Sequence, residues 1–173
     1  MPQYRRQRHH NTRRLDCWNY EGPGPYLITI CTYQKRPALG RILDGRMVLS
    51  HAGEIVKAEW TETGQVRPEV TLDAFVIMPD HIHAILGLGP AIGNGAPRNG
   101  LERRPRSLGS LVAGFKAACT RRILESTGVQ VPVWQPNYND RIIRSSNHLA
   151  MVRRYVEENP MRSWLRDRWG DGR

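Results

Sequence analysis

Lysine is scarce in this chain of 173 residues: only Lys35, Lys57 and Lys116 occur among 26 basic side chains, the rest being arginine. Cysteine is scarce as well. Cys17, Cys31 and Cys119 are widely separated, with no paired metal-ligand spacing and no disulfide framework, so reduced thiols in a cytoplasmic setting are expected. No stretch nears the ~18 consecutive apolar residues of a membrane span. The basic start Met1–Arg14 has no apolar segment behind it, so no secretory signal is expected either. The chain carries no Walker loop and no dinucleotide fingerprint, which argues against nucleotide-driven chemistry. Neither His-x-Glu nor Cys-x-x-Cys occurs, which removes the zinc deaminases.

What the chain has in plenty is positive charge. A net charge of +10 and a pI near 10.2 point to a polyanionic partner. Arginine's planar fork suits bidentate phosphate contacts and stacking on bases better than lysine's point charge does. The candidate phosphate contacts are Arg13, Arg14, Lys116, Arg121, Arg141, Arg144, Arg153 and Arg154.

The hydrophobic pattern organises the rest. Residues 1–24 read as a basic arm, and residues 25–165 as one domain followed by a tail over 166–173. Tyr26–Tyr33 is rich in β-branched and aromatic residues and predicts a strand; a shorter one is expected around Met47–Leu49. Ser50 is placed to cap a helix running to about Gln65. Val70–Met78 and His81–Leu88 predict two antiparallel strands about the turn Pro79-Asp80. The stretch Gly89–Arg106 is crowded with Gly, Pro, Asn and Arg and reads as a surface insertion. A helix is expected over about Ser107–Thr127, with Leu108, Leu111, Val112, Phe115, Cys119 and Ile123 on its apolar stripe and Gly128 closing it. Trp134–Arg144 predicts a strand. A last helix should start at Ser145 or Ser146 and end by Asn159, because Pro160 disfavours helical geometry before it. This order suggests an α+β, ferredoxin-like (RRM-like) sandwich, its antiparallel sheet carrying helices on one face.

Two constellations carry chemistry. His81-Ile82-His83 on a strand sends both imidazoles to one face, a common beginning for a divalent metal site. A solvated histidine pair is the plainer alternative. Tyr155 and Asn159 stand four apart on the last helix, so they share a face. The amide of Asn159, at the expected helix C-terminus, is a hard ligand near the negative end of the helix dipole; the alternative is a packed tyrosine and a capping asparagine. Trp134 and Tyr138 can stack on bases or pack in the core, with core packing preferred. Asp140 and Glu158 are candidate bases or ordinary surface carboxylates, and His148 is expected to cap or be solvated.

In order and spacing, Met78-Pro79-Asp80-His81-Ile82-His83, Gly114-Phe115-Lys116, Trp134-Gln135-Pro136-Asn137-Tyr138 and Tyr155-Val156-Glu157-Glu158-Asn159-Pro160 resemble one family. They are similar to the REP-associated tyrosine transposases, relatives of the single-tyrosine transposases in the HUH endonuclease superfamily, over roughly Tyr26–Trp164. The resemblance implies that His81, His83 and Asn159 hold a divalent ion, Mg2+ or Mn2+, and that Tyr155 is the catalytic nucleophile. It further implies DNA binding and transposition: single-stranded DNA is cut beside a hairpin-forming repeat, leaving a 5′-phosphotyrosine and a free 3′-hydroxyl. A phenol ordinarily titrates near ~10, so such a nucleophile needs help at neutral pH, and a cation on the scissile phosphate supplies it. A homodimer or a monomer is compatible with the sequence, and no membrane partner is expected. Two alternatives stand beside this reading: a non-catalytic nucleic-acid-binding domain of the same fold, and a replication initiator or relaxase. The latter usually carry a third histidine near the pair or a second tyrosine close to the nucleophile, and neither is found here.

Overall fold

The structure is a computed structural model that describes residues 24–89 and 107–170. Most of the basic arm, with Arg13 and Arg14, and nearly all of the expected insertion therefore lie outside the described residues. Four strands form the main sheet: β1 (Gly24–Cys31), β4 (Val70–Ile77), β5 (His81–Leu88) and β6 (Asn139–Ile142). They run in the spatial order β4-β5-β1-β6, every neighbour antiparallel. This is the ferredoxin-like order, and the α+β class is as expected.

Between β1 and the first helix the chain makes a separate hairpin, β2 (Gly40–Leu43) and β3 (Arg46–Leu49). Its turn is Asp44-Gly45, with φ of 49° and 73°. Positive φ at both central residues is what a two-residue primed turn demands. The helix α1 (His51–Val66) starts where Ser50 Oγ accepts from the Gly53 amide at 3.1 Å. In the same way Ser107 caps α2 (Leu108–Thr127), and Gly128, at φ 68°, closes it. Both caps meet amides that would otherwise lack an intrahelical partner.

Alternation along the strands sorts the two faces of the sheet. Tyr26, Ile28 and Ile30 of β1 and Ile82, Ala84 and Leu86 of β5 are buried on one face, against Val56 and Trp60 of α1 and Leu111, Val112 and Phe115 of α2. The opposite face presents Leu27, Ala74, Val76 and Ile85, and the third helix, α3 (Ser146–Trp169), covers them with Leu149, Val152 and Val156. The helices thus lie on both faces and not on one alone. An apolar strand such as β5 needs cover on both sides.

Nor does α3 stop at Asn159. It continues through the buried Pro160 to Trp169, taking in the start of what the sequence marked as a tail. Proline removes one helical hydrogen bond and crowds the preceding turn, so something else must hold the distal half. Part of that support is the hairpin. Met161 lies over Gly45 so closely that a Cβ there would stand 2.5 Å from Met161 Cε. With the helix extended by ten residues, Asn159 is interior and lies away from the negative end of the helix dipole.

Candidate active site

The site lies on the α3 side of the sheet, where β1, β5 and the middle of α3 meet. Strand alternation puts His81 and His83 on that face, while Ile82 goes to the opposite core. The two imidazoles converge with their Nε2 atoms 3.1 Å apart and ring centroids 4.6 Å apart. Each Nδ1 is held from behind. His81 Nδ1–H donates to Asp80 Oδ1 at 2.6 Å. His83 Nδ1 is 2.8 Å from Thr29 Oγ1, and Thr29 is its cross-strand partner on β1.

These supports decide which nitrogens are free. A carboxylate can only accept, so His81 carries a proton on Nδ1, which leaves Nε2 as the nitrogen that can turn a lone pair outward. The Thr29 hydroxyl can donate or accept, so His83 has two options. With its proton on Nε2 it donates to His81; with its proton on Nδ1 it aims a second lone pair at the same point. Burial, assisted by the neighbouring His81 and opposed by Asp80, pulls the His83 pKa down to about 4. The ring is therefore neutral near pH 7, as a metal ligand must be.

Tyr155 completes the group. Leu149, Val152 and Val156 bury one stripe of α3, which leaves Tyr155 beside the histidines, 40% exposed. Its hydroxyl lies 3.4 Å from His83 Nε2, and the two rings meet edge to face at 5.4 Å. Arg153, two residues earlier, grips Asp73 of β4 with three contacts of 2.7–3.0 Å. Asp73 lies in the irregularity between Leu72 and Phe75, so this pair fixes the helix to a defined point of the sheet. The same hydrogen bonds hold the Asp73 carboxyl below its ordinary range.

Asn159 is half-buried one turn beyond Tyr155, and its side-chain amide makes no hydrogen bond among the described residues. Among those residues, no three or more His, Cys, Asp or Glu side chains come together to hold an ion. A third protein ligand would have to be of another type, as an asparagine amide is.

The donor set can still be tested against a divalent ion. Two imidazole nitrogens bound at about 2.1 Å and roughly at right angles would be about 3 Å apart. The observed Nε2 pair spans 3.1 Å, with both Nδ1 atoms secured. An orienting oxygen behind each ligand is the usual outer shell of a histidine metal site. The residues fit an ion.

The other sequence candidates scatter. Lys116 donates to the backbone carbonyls of Gln135 at 2.7 Å, Asn137 at 3.0 Å and Pro136 at 3.4 Å. Its ammonium is a staple for that loop and is not free to meet a phosphate; burial lowers its pKa to about 8. Lys116→Met should therefore lower stability by about 1–3 kcal/mol, as carbonyls lose a charged donor. The check is the midpoint of denaturant unfolding, and an unchanged midpoint would refute the staple. Arg154 pairs with Glu158 at 2.6 Å, and Glu158 also takes Arg162 at 2.7 Å, so that carboxylate serves as an ion-pair hub. Arg121 approaches Glu125 only at 3.9 Å, and Arg141 and Arg144 are exposed. Trp134 is buried against Phe115, and Tyr138 packs on the same core. Asp140 is opposite Ile28, so alternation sends it to the face away from the histidines. His148 forms part of the cap, its amide donating to Ser145 Oγ. Thr29 is the residue the sequence reading missed, for only the register of β1 against β5 brings it to His83.

Comparison with known proteins adds the context. No protein-family model matches the chain. An uncharacterized protein of Haemophilus influenzae is 31% identical over 170 residues, covering 92% of each chain. The chain belongs to the same family as that protein. Among solved structures, a REP-associated tyrosine transposase bound to a REP hairpin superimposes with a TM-score of 0.60 at 16% identity, covering 87% of this chain and 74% of that one. The fold is that of a REP-associated tyrosine transposase. Within this transposase fold, His81, His83 and Tyr155 occupy adjoining positions on two elements far apart in sequence. No helix among the described residues is long and apolar enough to cross a membrane.

Proposed function

We propose that the protein is a metal-dependent transposase of the single-tyrosine type, which cuts and rejoins single-stranded DNA next to hairpin-forming repeats. One observation carries the reading: the Tyr155 hydroxyl stands 3.4 Å from an imidazole whose Nε2 is 3.1 Å from a second one. On this reading the nucleophile adjoins the cation site. The REP hairpin bound by the structural relative makes hairpin DNA the natural partner to test.

In this reading His81, His83 and Asn159 would hold Mg2+ or Mn2+, which would supply Lewis-acid polarisation of the scissile phosphate and offset the charge that develops on it. The Tyr155 oxygen attacks phosphorus in line with the departing 3′-oxygen. One oxygen–phosphorus bond forms as the bond to the 3′-oxygen breaks. The products are a 5′-phosphotyrosine and a 3′-hydroxyl. Because one phosphoester replaces another, a second 3′-hydroxyl can reverse the step without a nucleotide cofactor. The Thr29 and Asp80 oxygens keep both imidazoles aimed while this happens.

The deciding experiment incubates the protein with Mn2+ and single strands from its own genomic neighbourhood that carry hairpin repeats. A nicked strand and a protein–DNA adduct resistant to denaturation are expected. Tight binding with no adduct on any such strand would leave only a binding domain. Affinity should also fall steeply with salt, because arginine contacts release counterions at a log–log slope of about −0.7 per phosphate on a single strand. A slope near zero would refute the electrostatic account, including the assignments of Arg13, Arg14, Arg121, Arg141 and Arg144.

A further inference from the structure

We propose that the distal half of α3 is a second DNA-binding surface, which holds the strand running away from Tyr155. Arg166 takes a phosphate there, and Trp169 stacks on an unpaired base. The proposal rests on the strand-cutting reading above and adds a site to it.

The first support is helical spacing. At 3.6 residues per turn, positions 155, 162, 166 and 169 fall within about 40° of one line along the helix. The side of α3 that carries Tyr155 therefore continues as Arg162, Arg166 and Trp169. At 1.5 Å per residue, Trp169 is about 21 Å from Tyr155, roughly six steps of a stacked strand at ~3.4 Å each. A strand whose phosphate is at Tyr155 can run along this line.

The second support is what the residues are. Trp169 is 74% exposed, a large apolar surface left uncovered at a helix end. Arg168 stands over the Trp164 ring at 5.2 Å and over the Trp169 ring at 6.0 Å, so one guanidinium lies against both indoles. Such an arrangement steadies the Trp169 ring while leaving it accessible, as a stacking platform requires. Arg162 is bonded to Glu158, but Arg166 has no carboxylate partner among the described residues. Beyond Pro160 the only acidic residue of the helix is Asp167, which the helical period turns well away from this line. Arginines alternating with exposed tryptophan suit a polyanion with aromatic bases better than they suit an acidic protein surface, which offers nothing for the indoles to stack on.

The test uses the full chain and hairpin-bearing single strands lengthened stepwise, by about two to ten nucleotides, on either side of the cut. For the parent protein, affinity measured by anisotropy of a labelled strand should rise about tenfold once one tail reaches Trp169. Trp169→Ala and Arg166→Gln should abolish that gain and still form the adduct on the shortest strand. Both side chains are exposed, so folding is not at stake. No gain with length in the parent, or the same gain in both variants, overturns the proposal. So does a Trp169→Ala protein with unchanged strand affinity but an altered oligomeric state, which would make this face a protein contact. If no strand ever forms an adduct, the cutting reading fails separately, and the length dependence of binding still decides this surface.

Discussion

Tyr155→Phe is expected to bind hairpin DNA as tightly as the parent and to form no covalent adduct at all. The substitution removes one oxygen and leaves the ring that meets His83 edge to face. What is lost structurally is a single long contact of 3.4 Å from a half-exposed hydroxyl, worth no more than about 1 kcal/mol. Thermal unfolding should hardly move. What is lost chemically is the atom that attacks phosphorus, for which the phenyl ring has no substitute. Tyr26, buried in the core, and Tyr33 and Tyr138 provide the controls, and their phenylalanine variants should still form the adduct. A packing role for Tyr155 predicts the reverse, with near-normal cleavage by the variant. An adduct formed by Tyr155→Phe would sink the assignment, and mass spectrometry of the DNA-linked peptide would name the true nucleophile.

Much of the fold was legible because strong periodicity was local. The apolar run of β1, the serine caps of α1 and α2 and the glycine ending α2 are each specified by a few neighbouring residues. The hairpin at Asp44-Gly45 was legible too and was only half read. An Asp-Gly pair between short apolar stretches predicts two strands, and β2 escaped because it contributes so few apolar residues. The extent of α3 was not legible. Pro160 is a sound local stop signal, overridden by burial of its ring and by packing of Met161 on the hairpin turn. The segment from Trp134 to Tyr138 looked like a strand, but it pairs only at Trp134, in an isolated bridge to Thr32; Lys116 then anchors its carbonyls from another element, and continuous pairing resumes at Asn139.

The site divides along the same line. Strand alternation alone sends His81 and His83 to one face, and helical spacing alone puts Asn159 beside Tyr155. The meeting of Tyr155 with the histidines depends on α3 covering the face opposite the other two helices. The signal was present in β5, whose residues are buried on both sides and therefore call for cover on both. Asp80 could have been read as the partner of His81 from adjacency. Thr29, 54 residues from His83 in sequence, could not.

These supports give the metal account a graded test. His81→Ala removes one of two converging nitrogens from a partly exposed ring, so the fold should survive while Mn2+ binding, followed by calorimetry, is lost. Adduct formation should fall by at least ~100-fold although Tyr155 is intact. Thr29→Val keeps both ligands and deletes only the oxygen behind His83, which should weaken metal affinity by about 10–100-fold. The two variants then part on titration with metal. Excess Mn2+ should restore the Thr29→Val protein, whose nitrogens remain, and should fail to restore His81→Ala. Chelation of the parent should reproduce the His81→Ala defect, and added Mn2+ should reverse it. Tyr155→Phe must stay inactive at every metal concentration, because its defect lies in the nucleophile. Adduct formation by His81→Ala at the parental rate in the presence of chelator would show that the histidine pair holds no catalytic ion. The 3.1 Å nitrogen pair would then be a hydrogen bond, with His83 donating from Nε2 and Thr29 donating to its Nδ1.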